Sequence, residues 1–205
     1  MKQKSIYVVA SYTDTVPGKL ITARAKLKFW NRYEGDTYSH ISLSRDNRLR
    51  NMVSFARKEM KNPFNSGIVT EDIKRDMFVL NPDKSKIAVM QLGVSEETHQ
   101  IVSDKIDEYL RMGEHLKFNY LGLVSLLLSG TRGFTLSNQF FCSQWATTVL
   151  RESGIDIFPK KRPEDVRPFD FYRELKEYQI YEGLTKDYPE EGIDFIPKVF
   201  QYKRR

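Results

Sequence analysis

Apolar residues along the chain switch between continuous runs, alternation and helical spacing, and the switches mark out its elements. Residues 6–10 (IYVVA) form a short apolar run with strand character, closed by a polar loop at Pro17 and Gly18. Residues 20–33 place Leu20, Ala23, Leu27 and Trp30 at helical spacing, with basic residues on the other side, and Gly35 and Asp36 end that helix. Residues 38–43 alternate: Tyr38, His40 and Ser42 face one way, Ser39, Ile41 and Leu43 the other. A turn at Arg45, Asp46 and Asn47 returns the chain through 52–56 as the hairpin partner. Residues 62–67 read as a loop, and 77–80 and 87–92 as two more strands joined by Asn81, Pro82 and Asp83.

Helical spacing dominates the rest. Ser95 is an N-cap, Val102, Ile106, Tyr109 and Leu110 repeat behind it, and Gly113 stands at the C-cap. Residues 118–128 form a short, very apolar helix and 131–137 a loop. Residues 141–153 form a helix capped by Gly154, and 171–178 a further short helix before the tail. One strand, a helix, about four strands and then helices predict an α+β fold with a mainly antiparallel sheet packed against helices.

Composition narrows the function. The chain has 205 residues and one cysteine, so no internal disulfide can form. Three histidines and that cysteine are too few and too scattered for a tetrahedral zinc site, and no metal or other cofactor is expected. Lys and Arg exceed Asp and Glu by six, but residues 1–50 hold ten of the former and four of the latter, which is the whole excess. With no docking motif, a solvated basic face is preferred to a nucleic-acid partner. The longest apolar run, 121–128, falls far below the roughly 20 residues of a membrane span. No secretory signal is visible at the start, so a cytoplasmic location is expected.

Cys142 falls in the first turn of the 141–153 helix, after capping-rich residues 135–138. Unpaired N–H groups and the helix dipole favour a thiolate there and can also bind an oxyanion. Trp145, Ala146 and Val149 follow at i+3, i+4 and i+7, so Cys142 lies on the packed face; an inert core cysteine would look the same. Among the histidines, His99 sits in a polar helical turn and His115 beyond a C-cap, which leaves His40 as the one on a rigid strand. A helix-start cysteine and a strand histidine are the parts of a thiolate–imidazolium nucleophile. A third group must orient the imidazole. Ser54 on the neighbouring strand is one choice; Glu71 is the carboxylate alternative, in a stretch that otherwise reads as a solvated turn. Tyr38 and Gln144 are candidates for lining the substrate site.

The order of these pieces, YSHISLSRD, then NMVSFARK, then FFCSQWATTVL, resembles the circularly permuted NlpC-like papain-fold cysteine hydrolases, the YiiX/YebB-like group in particular. In that branch the histidine strand precedes the cysteine helix, a permutation shared with the lecithin–retinol acyltransferase group. The resemblance spans residues 5–154 and is strongest over 38–58 and 139–154. A catalytic domain is expected over 1–162, and residues 163–205, which the resemblance does not reach, are expected as a C-terminal extension packed on the same domain. The resemblance implies Cys142 as nucleophile, His40 as base and a third polar residue near Ser54, where relatives commonly carry His, Asn, Gln or Glu. The expected activity is that of an amidase- or peptidase-like cysteine hydrolase working through a thioester. The substrate would be a small molecule, peptide or lipid with an amide or ester bond. The alternatives are an acyltransferase or lipid-ester hydrolase on the same fold, or a non-catalytic protein whose basic first quarter meets an anionic lipid surface or an acidic partner.

Overall fold

The computed structural model describes residues 3–12, 38–59, 62–119 and 138–201. Five antiparallel pairings build a six-stranded sheet in the order β4-β3-β2-β1-β5-β8. Its strands are β1 (Gln3–Tyr12), β2 (His40–Ser44), β3 (Met52–Glu59), β4 (Asn62–Glu71), β5 (Lys86–Ser95) and β8 (Gln179–Leu184). Two short strands, β6 (Lys117–Phe118) and β7 (Gln139–Phe140), form a separate parallel pair. Among the described residues there are three α-helices: α1 (Glu96–Met112), α2 (Cys142–Glu152) and α3 (Pro168–Glu174). The chain is thus α+β with a mainly antiparallel sheet. Among the described residues no helix is long and apolar enough to cross a membrane.

Strand alternation sorts the side chains into two cores. Ile6, Val8 and Ala10 of β1, Ile41 and Leu43 of β2, and Val53 and Phe55 of β3 face the helices. Tyr7 and Val9 of β1, Met52 of β3, and Ile87 and Val89 of β5 face the other way, onto Leu49, Ile73, Phe78 and Tyr188. The helix α1 begins as its sequence dictates, with Ser95 Oγ accepting from the Thr98 N–H and two acids in its first turn. Its Val102, Ile106 and Tyr109 turn inward. The helix α2 buries Trp145, Ala146, Val149 and Leu150, and the Trp145 ring packs against Phe55 and Tyr109.

Several sequence expectations change. Residues 62–67 are not a loop but the start of β4, because β3 continues to Glu59 and the two strands pair from Met52–Glu71 down to Glu59–Asn62. Pro63 is tolerated there since β4 is an edge strand. Residues 77–80 are not a strand: Asp76–Phe78 is a 3-10 turn whose Phe78 is fully buried. The 171–178 helix divides into α3 and a second 3-10 turn, Lys176–Tyr178. What reads as tail supplies β8, which pairs with β5, while Val166, Phe171, Leu175 and Tyr178 join the helix-side core. Further on, the Gly93 N–H donates to Lys198 O at 2.8 Å and the Phe200 N–H to Gly93 O at 2.9 Å. A Cβ at Gly93 would stand 2.6 Å from the Lys198 carbonyl oxygen, so this docking needs glycine. The basic helix expected over 20–33 and most of the apolar helix over 118–128 lie outside the described residues.

Candidate functional site

His40 is the first residue of β2, opposite Ser11 of β1. The described ladder between β2 and β3 consists of one position, Leu43 opposite Val53, so the His40 end of β2 is not paired to β3. The helix α2 packs on these two strands, and Cys142 is its first residue. Cys142 is buried, and it bears on the charge state of the imidazole. The ring meets Glu71, with Nε2 at 3.0 Å from Oε1 and 3.2 Å from Oε2. With Nε2 committed to the carboxylate, Nδ1 is the ring nitrogen left for a second partner. Ser42 completes the cluster by donating its hydroxyl to Glu71 Oε2 at 2.6 Å.

This environment decides the charge on His40. Burial is the largest single influence and works against the imidazolium. The Glu71 carboxylate, the hydrogen bonds to Cys142 and Glu71, and the charge at Cys142 work for it, and together they prevail. The histidine is pushed up to about 10 and carries its proton at neutral pH. Its side chain is 12% exposed and that of Glu71 3%, so solvent screens the pair weakly.

The N-cap is Phe141, whose side chain makes no capping hydrogen bond, and no acid stands in the first turn. The first main-chain bond of the helix runs from the Trp145 N–H to Phe141 O. The N–H groups of Cys142, Ser143 and Gln144 therefore have no acceptor within the helix. Ser143 uses its hydroxyl elsewhere, donating to Val166 O at 2.7 Å.

The remaining candidates separate. Glu71 is not a solvated turn residue: it closes β4 and is almost wholly buried. Ser54 shares the face of Met52 on β3 and is fully buried, but its hydroxyl has no hydrogen-bond partner among the described residues, so it does not hold the imidazole. Tyr38 does not share a face with His40. It precedes the first paired residue of β2, outside the alternation, and lies in the helix-side core. Its hydroxyl donates to Glu182 Oε1 at 2.9 Å and its ring packs 4.8 Å from that of Tyr172. Gln144 is buried in the first turn of α2 and accepts from Asn119 Nδ2 at 3.4 Å. Asn119 was not legible as part of the site; its own N–H donates to Phe140 O at 2.8 Å, just ahead of the cysteine. Ser42 was visible only as a same-face neighbour of His40, and the alternation of 40 and 42 was its one signal. Among the described residues no group of three His, Cys, Asp or Glu side chains is arranged to hold a metal ion. Compared with known proteins, the chain matches no family model, no curated protein and no solved structure.

Proposed function

We propose that the chain is a cysteine hydrolase acting on an amide or ester bond. The observation that carries this reading is that Cys142, at the start of α2, and the buried Glu71 carboxylate both bear on His40, and that their combined influence keeps the imidazole protonated. In this reading the Cys142 sulfur, as thiolate, attacks the carbonyl carbon of the substrate, and the carbonyl electron pair moves to oxygen. The main-chain N–H groups of the first turn of α2 stabilise that oxyanion. The tetrahedral intermediate collapses, the C–N or C–O bond breaks, and His40 gives its Nδ1 proton to the leaving group. Water then attacks the thioester; His40 takes its proton, and the acid leaves with Cys142 returned to thiolate. Glu71 keeps the ring oriented through Nε2 and supports its positive charge.

The same order of parts, a histidine strand β2 before a cysteine helix α2, supports a permuted papain-like relationship. A direct test needs no knowledge of the natural substrate. Incubated with p-nitrophenyl acetate, the wild-type protein should carry an acetyl group on Cys142 by peptide mass spectrometry, and His40→Ala should not. Absence of the adduct together with p-nitrophenol release no faster than that of His40→Ala, or equal labelling of both proteins, would refute the proposal.

A further inference from the structure

The chemistry above leaves Ser42 without a role, yet Ser42 makes the shortest contact to the carboxylate. It follows His40 by two residues on β2, so both side chains leave the strand on one face. It is fully buried, and its hydroxyl stands 2.6 Å from Glu71 Oε2, against 3.0 and 3.2 Å for the imidazole contacts. An ionised carboxylate has no proton to give, so the serine donates.

The position of Glu71 explains why a second donor matters. Glu71 belongs to β4, and β3 lies between β4 and β2. Its side chain must cross the intervening strand, on the face where β3 carries Met52 and Ser54. A glutamate has three free torsions, and one contact to the imidazole would leave the carboxylate able to pivot. Two contacts, from residues 40 and 42 of one strand, fix it at two points. The groups bearing on the imidazole are Glu71 and Cys142; the adjacent Asp72 is occupied by Arg50 at 3.0 Å.

We infer that Ser42 is a positioning residue for the site, holding Glu71 so that it faces His40 Nε2. This rests on the reading of Cys142 and His40 as a reactive pair, and one experiment separates the two claims. Ser42→Thr keeps the hydroxyl and Ser42→Val has nearly the same shape without it, so a merely space-filling role treats them alike. Cys142 is the one cysteine of the chain, so iodoacetamide labelling reports on it unambiguously. At about pH 6, S42V should be alkylated about tenfold more slowly than S42T, the factor expected for one lost charge-assisted hydrogen bond. The two should converge above about pH 9, where a thiol ionises without help. If either variant does not fold by circular dichroism, Ser42→Ala against wild type replaces the pair, with the same tenfold expectation. Equal profiles with and without the hydroxyl, while His40→Ala still differs from wild type, would overturn the role of Ser42 alone. No difference between wild type and His40→Ala would overturn the functional reading beneath it.

Discussion

His40 Nε2 lies 3.0 Å from Glu71 Oε1, and the two residues come from strands that are not neighbours, β2 and β4, with β3 between them. The carboxylate therefore acts from one strand further away than the strand that hairpins with the histidine. If it orients and supports the imidazolium, Glu71→Gln should slow acetylation of Cys142 at neutral pH by about a hundredfold, the low end of what general acid–base groups contribute. Stopped-flow release of p-nitrophenol measures this. An unchanged rate would show that the carboxylate does not act through the ring.

The charge on His40 ties the site to stability. Its proton is held more tightly in the folded chain than in the unfolded one, so the contribution is fully present below about pH 6.5. It is lost as pH rises through about 10. Urea unfolding at these two pH values should show the wild-type protein losing a few kcal/mol more than His40→Gln over the same interval. Equal losses would contradict the raised proton affinity.

Trp145 is fully buried where α2 meets β3 and α1, against Phe55 and Tyr109. Trp145→Ala should cost about 3–5 kcal/mol, the range for emptying a large aromatic site. Because Trp145 stands one turn after Cys142, the variant should also lose labelling of Cys142 at low pH as the helix shifts. A urea midpoint close to wild type would argue against this packing.

Gly93 is the point at which the C-terminal segment joins the sheet. In most strands Gly→Ala is favourable, but here the added carbon would meet the Lys198 carbonyl at 2.6 Å. Gly93→Ala should therefore destabilise by about 1–3 kcal/mol and remove amide-exchange protection at Phe200. Retained protection at that amide would rule out the strand-like docking of residues 198–200.

What the sequence made legible was local. Ser95 and Gly113 bracket α1 because capping depends on residues within one turn, and the start of α2 followed from apolar residues spaced after Cys142. Register between strands was not legible. Asn62, Pro63 and Gly67 carry turn chemistry, yet all three lie in β4 on the sheet edge where such residues are tolerated, with Asn62 opposite Glu59 and Gly67 opposite Ala56. The tail became β8 because β5 offered an open edge, not because residues 179–184 alternate. For the site, adjacency in sequence favoured Ser54 as the partner of His40, whereas the geometry brings in Glu71. That pairing depends on how far a glutamate reaches across β3, and no local pattern encodes it.

The most direct measurement of the Cys142–His40 pairing is the rate of Cys142 alkylation by iodoacetamide from about pH 5 to 10, in wild type and His40→Ala. A thiolate held by an imidazolium predicts fast labelling of the wild-type protein well below about pH 8, and labelling of His40→Ala only above it, as for a free thiol. Coincident profiles that both rise only above about pH 8 would contradict the pairing and, with it, the hydrolase.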